Sequence, residues 1–109
     1  RISAFDLVLN KWRILQTIPD NVGYPMARRC HGAVQMTDEL TGHVRAFIYG
    51  GYAEEGVFYD MWRLDLKTLQ WKCFERLPQP NAVFFHSVAL TPLGKMYTFG
   101  GVVGEIAEE

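Results

Sequence analysis

The chain has no excess of basic residues, no long apolar run and few cysteines, and each shortage argues against one class of protein. Its 109 residues hold 11 Lys and Arg against 12 Asp and Glu, so no basic excess is present to attract nucleic acid or an anionic membrane. No apolar run approaches the roughly 20 residues that span a bilayer, and no signal peptide is visible. We therefore predict that the partners of this protein are neither nucleic acid nor membrane.

Cysteine is also scarce. Cys30 and Cys73 are the only two, whereas secreted domains of this size are often dense in disulfides. Neither they nor the histidines His31, His43 and His86 have the spacing of metal ligands, so no cofactor is predicted. We interpret both cysteines as buried, reduced thiols of an intracellular protein, and predict a cytoplasmic location with the nucleus as a second compartment.

What the chain does contain is a repeated strand ending. Gly50-Gly51 follows the apolar run 46–49, and Gly100-Gly101 follows the apolar run 96–99, 50 residues later. Gly-Gly suits a strand end where the chain turns with positive φ and passes close to neighbouring backbone. Repetition of such a unit at about 50 residues is typical of one kind of β-propeller blade.

Four short strands are predicted around the first glycine pair, at residues 31–36, 44–49, 62–66 and 70–74. Shifted copies surround them: Phe5-Asp6 and Trp12 recur 59 residues later as Leu64-Asp65 and Trp71, and His31 recurs 55 residues later as His86. No amphipathic helix of useful length is present. The pattern predicts an all-β chain of four-stranded antiparallel blades.

Three residue types recur at fixed places in the repeat, and each has a predicted structural role. We expect Trp12 and Trp71 to fill the space between adjacent blades, with each indole N–H bonded to an acceptor. Asp6 and Asp65 are predicted to bond the backbone of a two-residue turn. The histidines His31 and His86, at the start of their blades, are interpreted as buried neutral imidazoles bonded to a loop.

The order of these residues resembles the kelch motif, in which a Trp follows seven residues after the hydrophobic residue of a hydrophobic-Asp pair. The resemblance covers residues 1–101, and Leu64 stands where kelch repeats usually carry Tyr. Because closed propellers have about four to eight blades, we expect residues 1–109 to be part of a kelch propeller. The expected parts are an outer half-blade at 1–19, a complete blade at 28–78 and an inner half-blade at 84–101.

Residues 83–103 resemble the last repeat of a kelch family of substrate receptors for cullin-2 ubiquitin ligases. The Phe-His pair at 85–86, the Thr-Pro-x-Gly loop at 91–94 and the Gly-Gly-Val-Val ending at 100–103 carry this resemblance. It implies a protein-binding module in the ubiquitin and protein-degradation pathway, with no catalytic residues of its own. It also implies a protein or peptide substrate, and elongin B/C and cullin-2 as partners bound through a helix outside this chain.

Two alternatives stay open at this point. One is a kelch scaffold outside the ligases, which binds cytoskeletal proteins or phosphatases. The other, less favoured, is a kelch-fold oxidase, whose Tyr and His copper ligands are not present at a recognisable spacing.

Arg28 and Arg29 are the candidate substrate-binding residues. The run Pro25-Met-Ala-Arg28 fits the Pro-x-x-Arg that kelch repeats often carry before the His, in a loop that the resemblance places at the mouth of the central channel. A guanidinium there can bind a carboxylate through two parallel hydrogen bonds. Since related receptors capture substrate C-termini, the resemblance implies a carboxylate anchor. The alternative is a structural arginine paired with an acidic residue of a neighbouring blade.

Overall fold

The computed structural model describes residues 2–74, 83–84, 87–99 and 102–103. All regular structure in these ranges is β-strand, and every pair of strands is antiparallel, which confirms the all-β prediction. The strands in chain order are β1 (Ile2–Asp6), β2 (Lys11–Leu15), β3 (Gly32–Thr37), β4 (Val44–Tyr49), β5 (Tyr52–Ala53), β6 (Gly56–Val57), β7 (Met61–Asp65), β8 (Gln70–Cys73), β9 (Val83–Phe84), β10 (Ser87–Leu90), β11 (Met96–Phe99) and β12 (Val102–Val103).

The largest sheet has four strands in the order β3-β4-β7-β8, so each strand pairs with its neighbour along the chain. Its strands match the four predicted around the first glycine pair to within one residue at each end. The match is close because period-two alternation and turn residues define strands locally. The remaining strands form two-stranded sheets: β1-β2, β5-β6, β9-β12 and β10-β11.

The repeat seen in the sequence reappears as strand register. Phe5 pairs with Trp12 in β1-β2, and Leu64 pairs with Trp71 in β7-β8, so the hairpin β1-β2 has the register of the outer half of the four-stranded sheet. Likewise, Gly32 pairs with Tyr49 in β3-β4, and Ser87 pairs with Phe99 in β10-β11. The three predicted blade boundaries stay a prediction. The second glycine pair and His86 lie outside the described residues.

The core lies on one face of the four-stranded sheet. Trp62, Leu64 and Trp71 are buried there, with the two indoles edge to face at 6.1 Å. Ile2 of β1 packs against this cluster, so the neighbouring hairpin contributes a residue to the tryptophan face. The indole N–H of Trp71 donates to Thr17 Oγ1 at 3.0 Å, which confirms the expected acceptor.

The equivalent Trp12 has a different environment. It packs edge to face on Phe5 with ring centroids 5.2 Å apart, but it is 71% exposed. No described sheet covers its outer face, so the predicted role between blades is not seen for Trp12 in this part of the protein.

The hairpin loops confirm one prediction and correct another. Asp6 Oδ1 accepts hydrogen bonds from the backbone of Val8 and Leu9, and Asp65 Oδ1 accepts from Lys67 and Thr68, as predicted for these carboxylates. The loops, however, contain four residues rather than two, since Asp6 pairs with Lys11 and Asp65 with Gln70.

A third copy of this turn was not predicted. Asp38 Oδ1 accepts from the backbone of Leu40 and Thr41 in the β3-β4 loop. All three turns end on a residue with positive φ, namely Asn10 at 58°, Gly42 at 74° and Leu69 at 62°. A tight four-residue loop needs a left-handed residue to return the chain to the sheet, and only one of these three is glycine.

An irregular segment follows β2 and covers the outer edge of the four-stranded sheet. Ile18 N donates to Leu69 O at 2.8 Å, and Trp71 N donates to Ile18 O at 2.9 Å. Asp20 Oδ2 accepts from Cys73 N at 2.8 Å. The segment thereby pairs with β8 and occupies backbone groups that an open edge strand would expose.

Two further predictions about single residues need correction. His31 is exposed rather than buried, because it lies in the segment just before β3, outside the packed face of the sheet. Cys30 and Cys73 form no disulfide, but both are half-buried rather than fully buried. His86 lies outside the described residues.

Candidate ligand-binding site

Arg28 and Arg29 lie at one end of the four-stranded sheet, next to the first glycine pair. Gly32 at the start of β3 pairs with Tyr49 at the end of β4. The segment that enters β3 and the segment that leaves β4 therefore emerge side by side. The hairpin loops of Asp38 and Asp65 lie at the opposite end of the sheet, because successive antiparallel strands alternate in direction.

The glycine pair permits this close approach. Gly50 and Gly51 have φ values of 73° and 98°, a region that side chains rarely adopt. A Cβ on Gly51 would lie 2.8 Å from the carbonyl oxygen of Arg29. Beyond the pair, Arg29 N donates to Tyr52 O at 3.0 Å and Tyr52 N donates to Arg29 O at 2.9 Å. The glycines therefore place the arginine segment directly against the chain that follows β4.

Arg28 has the environment of a structural arginine. Its side chain is 3% exposed, and its guanidinium donates two parallel hydrogen bonds to Asp60 at 2.5 and 3.0 Å. Nη1 also donates to Gly50 O at 3.3 Å, and Nε donates to Met26 O at 3.1 Å. The guanidinium carbon lies 4.3 Å from the centre of the Phe58 ring. Its hydrogen-bonding capacity is thus largely used within the protein.

Asp60 remains ionised in this setting. Burial alone would raise the pKa of Asp60, but hydrogen bonds from Arg28 and Trp62 and the charge of Arg28 outweigh burial, so the pKa is lowered. Trp62 contributes its indole N–H, which donates to Asp60 Oδ2 at 2.8 Å. Asp60 therefore links the arginine segment to the tryptophan core of the sheet.

Arg29 is exposed, in contrast to its neighbour. Its guanidinium carbon lies 5.3 Å from the centre of the Tyr52 ring, a cation–π distance. No carboxylate of the described residues forms an ion pair with Arg29. It lines an open pocket of about 390 Å³, whose walls are Ala27, Arg28, Arg29, Tyr52, Ala53, Glu54 and Glu55.

The pocket combines one accessible guanidinium, one aromatic ring and two carboxylates. This combination of groups suits binding of a polar peptide segment. Within the described ranges, no group of three or more His, Cys, Asp and Glu side chains is placed to hold a metal ion. No helix in the same ranges is long and apolar enough to cross a membrane.

Sequence reasoning pointed to the arginines but missed their surroundings. The expected partner of a structural arginine was an acidic residue of a neighbouring blade, whereas Asp60 belongs to the connection between β4 and β7 of the same sheet. No spacing rule relates Arg28 to a residue 32 positions later. Whether either arginine binds substrate stays a prediction.

The chain is similar to a set of kelch proteins. It is 43% identical over 105 residues to Kelch domain-containing protein 10 of Rattus norvegicus and of Homo sapiens. It is 38% identical over 113 residues to the Kelch domain-containing protein 10 homolog of Drosophila melanogaster. Each alignment includes 94% of this chain but only 24%, 22% and 18% of these relatives, respectively, so the chain spans about a quarter of their length or less.

No protein-family model matches the chain. The assignment therefore depends on the pairwise similarity, and the four-stranded antiparallel sheet is consistent with part of a kelch propeller. These comparisons support a kelch-repeat family for the chain, which is similar to Kelch domain-containing protein 10 over 94% of its own length.

Proposed function

We propose that the protein carrying this chain is a substrate-recognition subunit of a cullin-2 RING ubiquitin ligase. Similarity to Kelch domain-containing protein 10 supports a protein-interaction module, and the resemblance of residues 83–103 to kelch receptors of these ligases supports the finer assignment. In this role the propeller binds a protein or peptide substrate, and other subunits transfer ubiquitin. Elongin B/C and cullin-2 bind through a region outside residues 1–109, and the complex operates in the cytoplasm and the nucleus.

The assembly is tested with the tagged full-length protein expressed in cells. We expect elongin B, elongin C and cullin-2 to co-purify with it from both cytoplasmic and nuclear fractions. A full-length protein that is folded and abundant yet recovers none of them would overturn the ligase assignment. Recovery of cytoskeletal proteins or a phosphatase in their place would favour a kelch scaffold instead.

The observation that carries the substrate-binding part of the proposal is the accessibility of Arg29. Its guanidinium lines a pocket without a carboxylate partner among the described residues, so it is available to a ligand carboxylate. We assign the direct contact with a substrate C-terminus to Arg29. Arg28, already bound by Asp60, holds the segment in place and presents its neighbour.

Peptide binding to the full-length protein tests this assignment. A peptide with a free C-terminal carboxylate should bind roughly 10- to 100-fold more tightly than the same peptide with a C-terminal amide, since hydrogen bonds to charged groups contribute about 1.5–3 kcal/mol. Arg29→Gln should remove that preference, while Arg13→Gln, at an exposed position on β2, should leave it unchanged. Equal affinity of the acid and amide peptides would overturn capture of a C-terminus.

A further inference from the structure

The pocket beside Arg29 contains more free negative charge than free positive charge. Arg28 also lines it, but Asp60 neutralises that guanidinium. One available cation, Arg29, therefore faces two carboxylates, Glu54 and Glu55. Both glutamates are exposed, and neither forms an ion pair with a cation of the described residues.

The fold places these glutamates at a defined distance along the pocket. Tyr52 pairs with Val57 and Ala53 with Gly56, so Glu54 and Glu55 form the turn of the β5-β6 hairpin. Tyr52 itself forms the backbone bridge to Arg29. Since a strand advances about 3.3 Å per residue, the acidic turn begins about 7 Å from the point where the hairpin meets the arginine segment.

This charge pattern disfavours a ligand that brings only an anion. A lone carboxylate is attracted by Arg29 and repelled by two glutamates in the same pocket. A ligand with a cation one or two residues before its carboxylate places each charge beside an opposite one. The half-buried Tyr52 ring lies at the point where the two halves of the site meet, and offers an apolar surface to the methylene groups of a lysine or arginine.

We propose that this site selects protein C-termini with Lys or Arg as the second or third residue from the end. The terminal carboxylate binds Arg29, and the basic side chain binds Glu54 and Glu55. This inference builds on the proposed capture of a substrate C-terminus and adds the class of sequence that is captured.

Four versions of one peptide test it on the full-length protein by fluorescence anisotropy. The third residue from the end is Lys or norleucine, and each peptide is made as a free acid and as an amide. We expect the lysine acid to bind about 1.5- to 5-fold more tightly than the norleucine acid at low salt, the range for exposed ion pairs. That ratio should approach one at high salt, where exposed charges are screened.

The double variant E54Q/E55Q tests whether Glu54 and Glu55 cause the preference for the lysine peptide. It should remove the preference for lysine while keeping the preference of the norleucine peptide for a free carboxylate. Glu39→Gln is the matched control, because Glu39 is an exposed acid at the opposite end of the sheet.

The outcomes separate this inference from the function on which it builds. If the norleucine acid binds better than its amide but lysine adds nothing, capture of the C-terminus stands and the basic-residue preference is overturned. If acid and amide bind equally in both pairs, capture of the C-terminus is itself overturned. If the lysine preference survives in E54Q/E55Q, its origin lies elsewhere and the assignment to the acidic turn is wrong. The peptide series on the unmodified protein decides the first two outcomes without any variant.

Discussion

Arg28 and Asp60 form a bidentate ion pair that joins two segments 32 residues apart in the chain. The arginine side chain is 3% exposed and the aspartate 28%. The same carboxylate accepts a hydrogen bond from Trp62, one of the buried core residues. The pair therefore connects the wall of the candidate pocket to the core of the four-stranded sheet. It also leaves Arg29 as the arginine that can reach a ligand.

Removing Asp60 should be strongly destabilising. Asp60→Ala leaves the Arg28 charge buried without its partner, and breaking such a pair costs about 3 kcal/mol or more. Arg45→Ala is the control, because Arg45 contacts Asp65 at 3.6 Å with a side chain that is 37% exposed, and such pairs contribute at most about 1 kcal/mol. Denaturant unfolding of the full-length protein measures both. Equal losses in the two variants would contradict the structural role of Asp60.

The stability of the protein should fall in acid. The pKa of Asp60 is lowered in the folded state, so near the ordinary value of 3.8 the folded protein binds fewer protons than the unfolded chain. The stabilisation is therefore complete above that value and is lost as the pH falls through the lower folded pKa. Asp60→Asn should reduce the slope of unfolding free energy against pH in this acidic range.

The aspartates of the hairpin loops also contribute to the loss of stability in acid. Backbone N–H groups of their own turns lower the pKa of Asp6, Asp38 and Asp65 as well. Part of the acid sensitivity should thus persist in Asp60→Asn. An unchanged slope in this variant would show that Asp60 does not hold a lowered pKa.

Alanine substitutions at two glycines with nearly the same backbone conformation distinguish the cost of a steric clash from the cost of backbone strain. Gly51 and Gly23 have φ values of 98° and 102°, but only at Gly51 would a Cβ meet another atom within 4 Å. Gly23→Ala should cost about 1–2 kcal/mol from conformation alone. Gly51→Ala should cost about 1–3 kcal/mol more, because its Cβ would clash with the backbone oxygen of Arg29. Similar losses at the two sites would mean that the arginine segment does not lie against Gly51.

Substitution of Asn10 tests the left-handed backbone conformation at the end of the first hairpin loop. This residue is exposed and has a φ of 58°, so substitution probes the backbone with little effect on packing. Asn10→Val should destabilise the protein by about 1–2 kcal/mol, since a β-branched side chain disfavours this conformation. Asn21→Val is the matched control at an exposed position without positive φ, and should change the melting temperature little.

Local patterns in the sequence predicted most of the backbone. Alternation around Leu64, the recurrence of Trp12 as Trp71 and the aspartates before each loop gave the strands and their turns, because these signals depend on residues a few positions apart. The loop length was wrong by two residues. The four-residue turn depends on left-handed residues such as Leu69, whose side chain does not indicate that conformation.

The candidate site was predictable only in part. The Pro-x-x-Arg pattern ahead of β3 marked Arg28 and Arg29 as a pair, without indicating which of them a ligand can reach. Asp60 and the Glu54-Glu55 turn enter the site through the connection after β4, which is distant in sequence from the arginines. The same reason explains the exposed His31, since burial depends on which sheet packs against a segment.

The amino-acid sequence by itself determined the four strands of the central sheet, the glycine-marked end of β4 and the repeat that relates β1-β2 to β7-β8. These follow from short-range periodicity and from conformations that glycine alone adopts easily. Only the tertiary structure decided that Arg28 is neutralised by Asp60 and that Arg29 faces a pocket with two acids. Charge pairing depends on separations of a few ångströms, which folding creates between residues that the sequence keeps far apart.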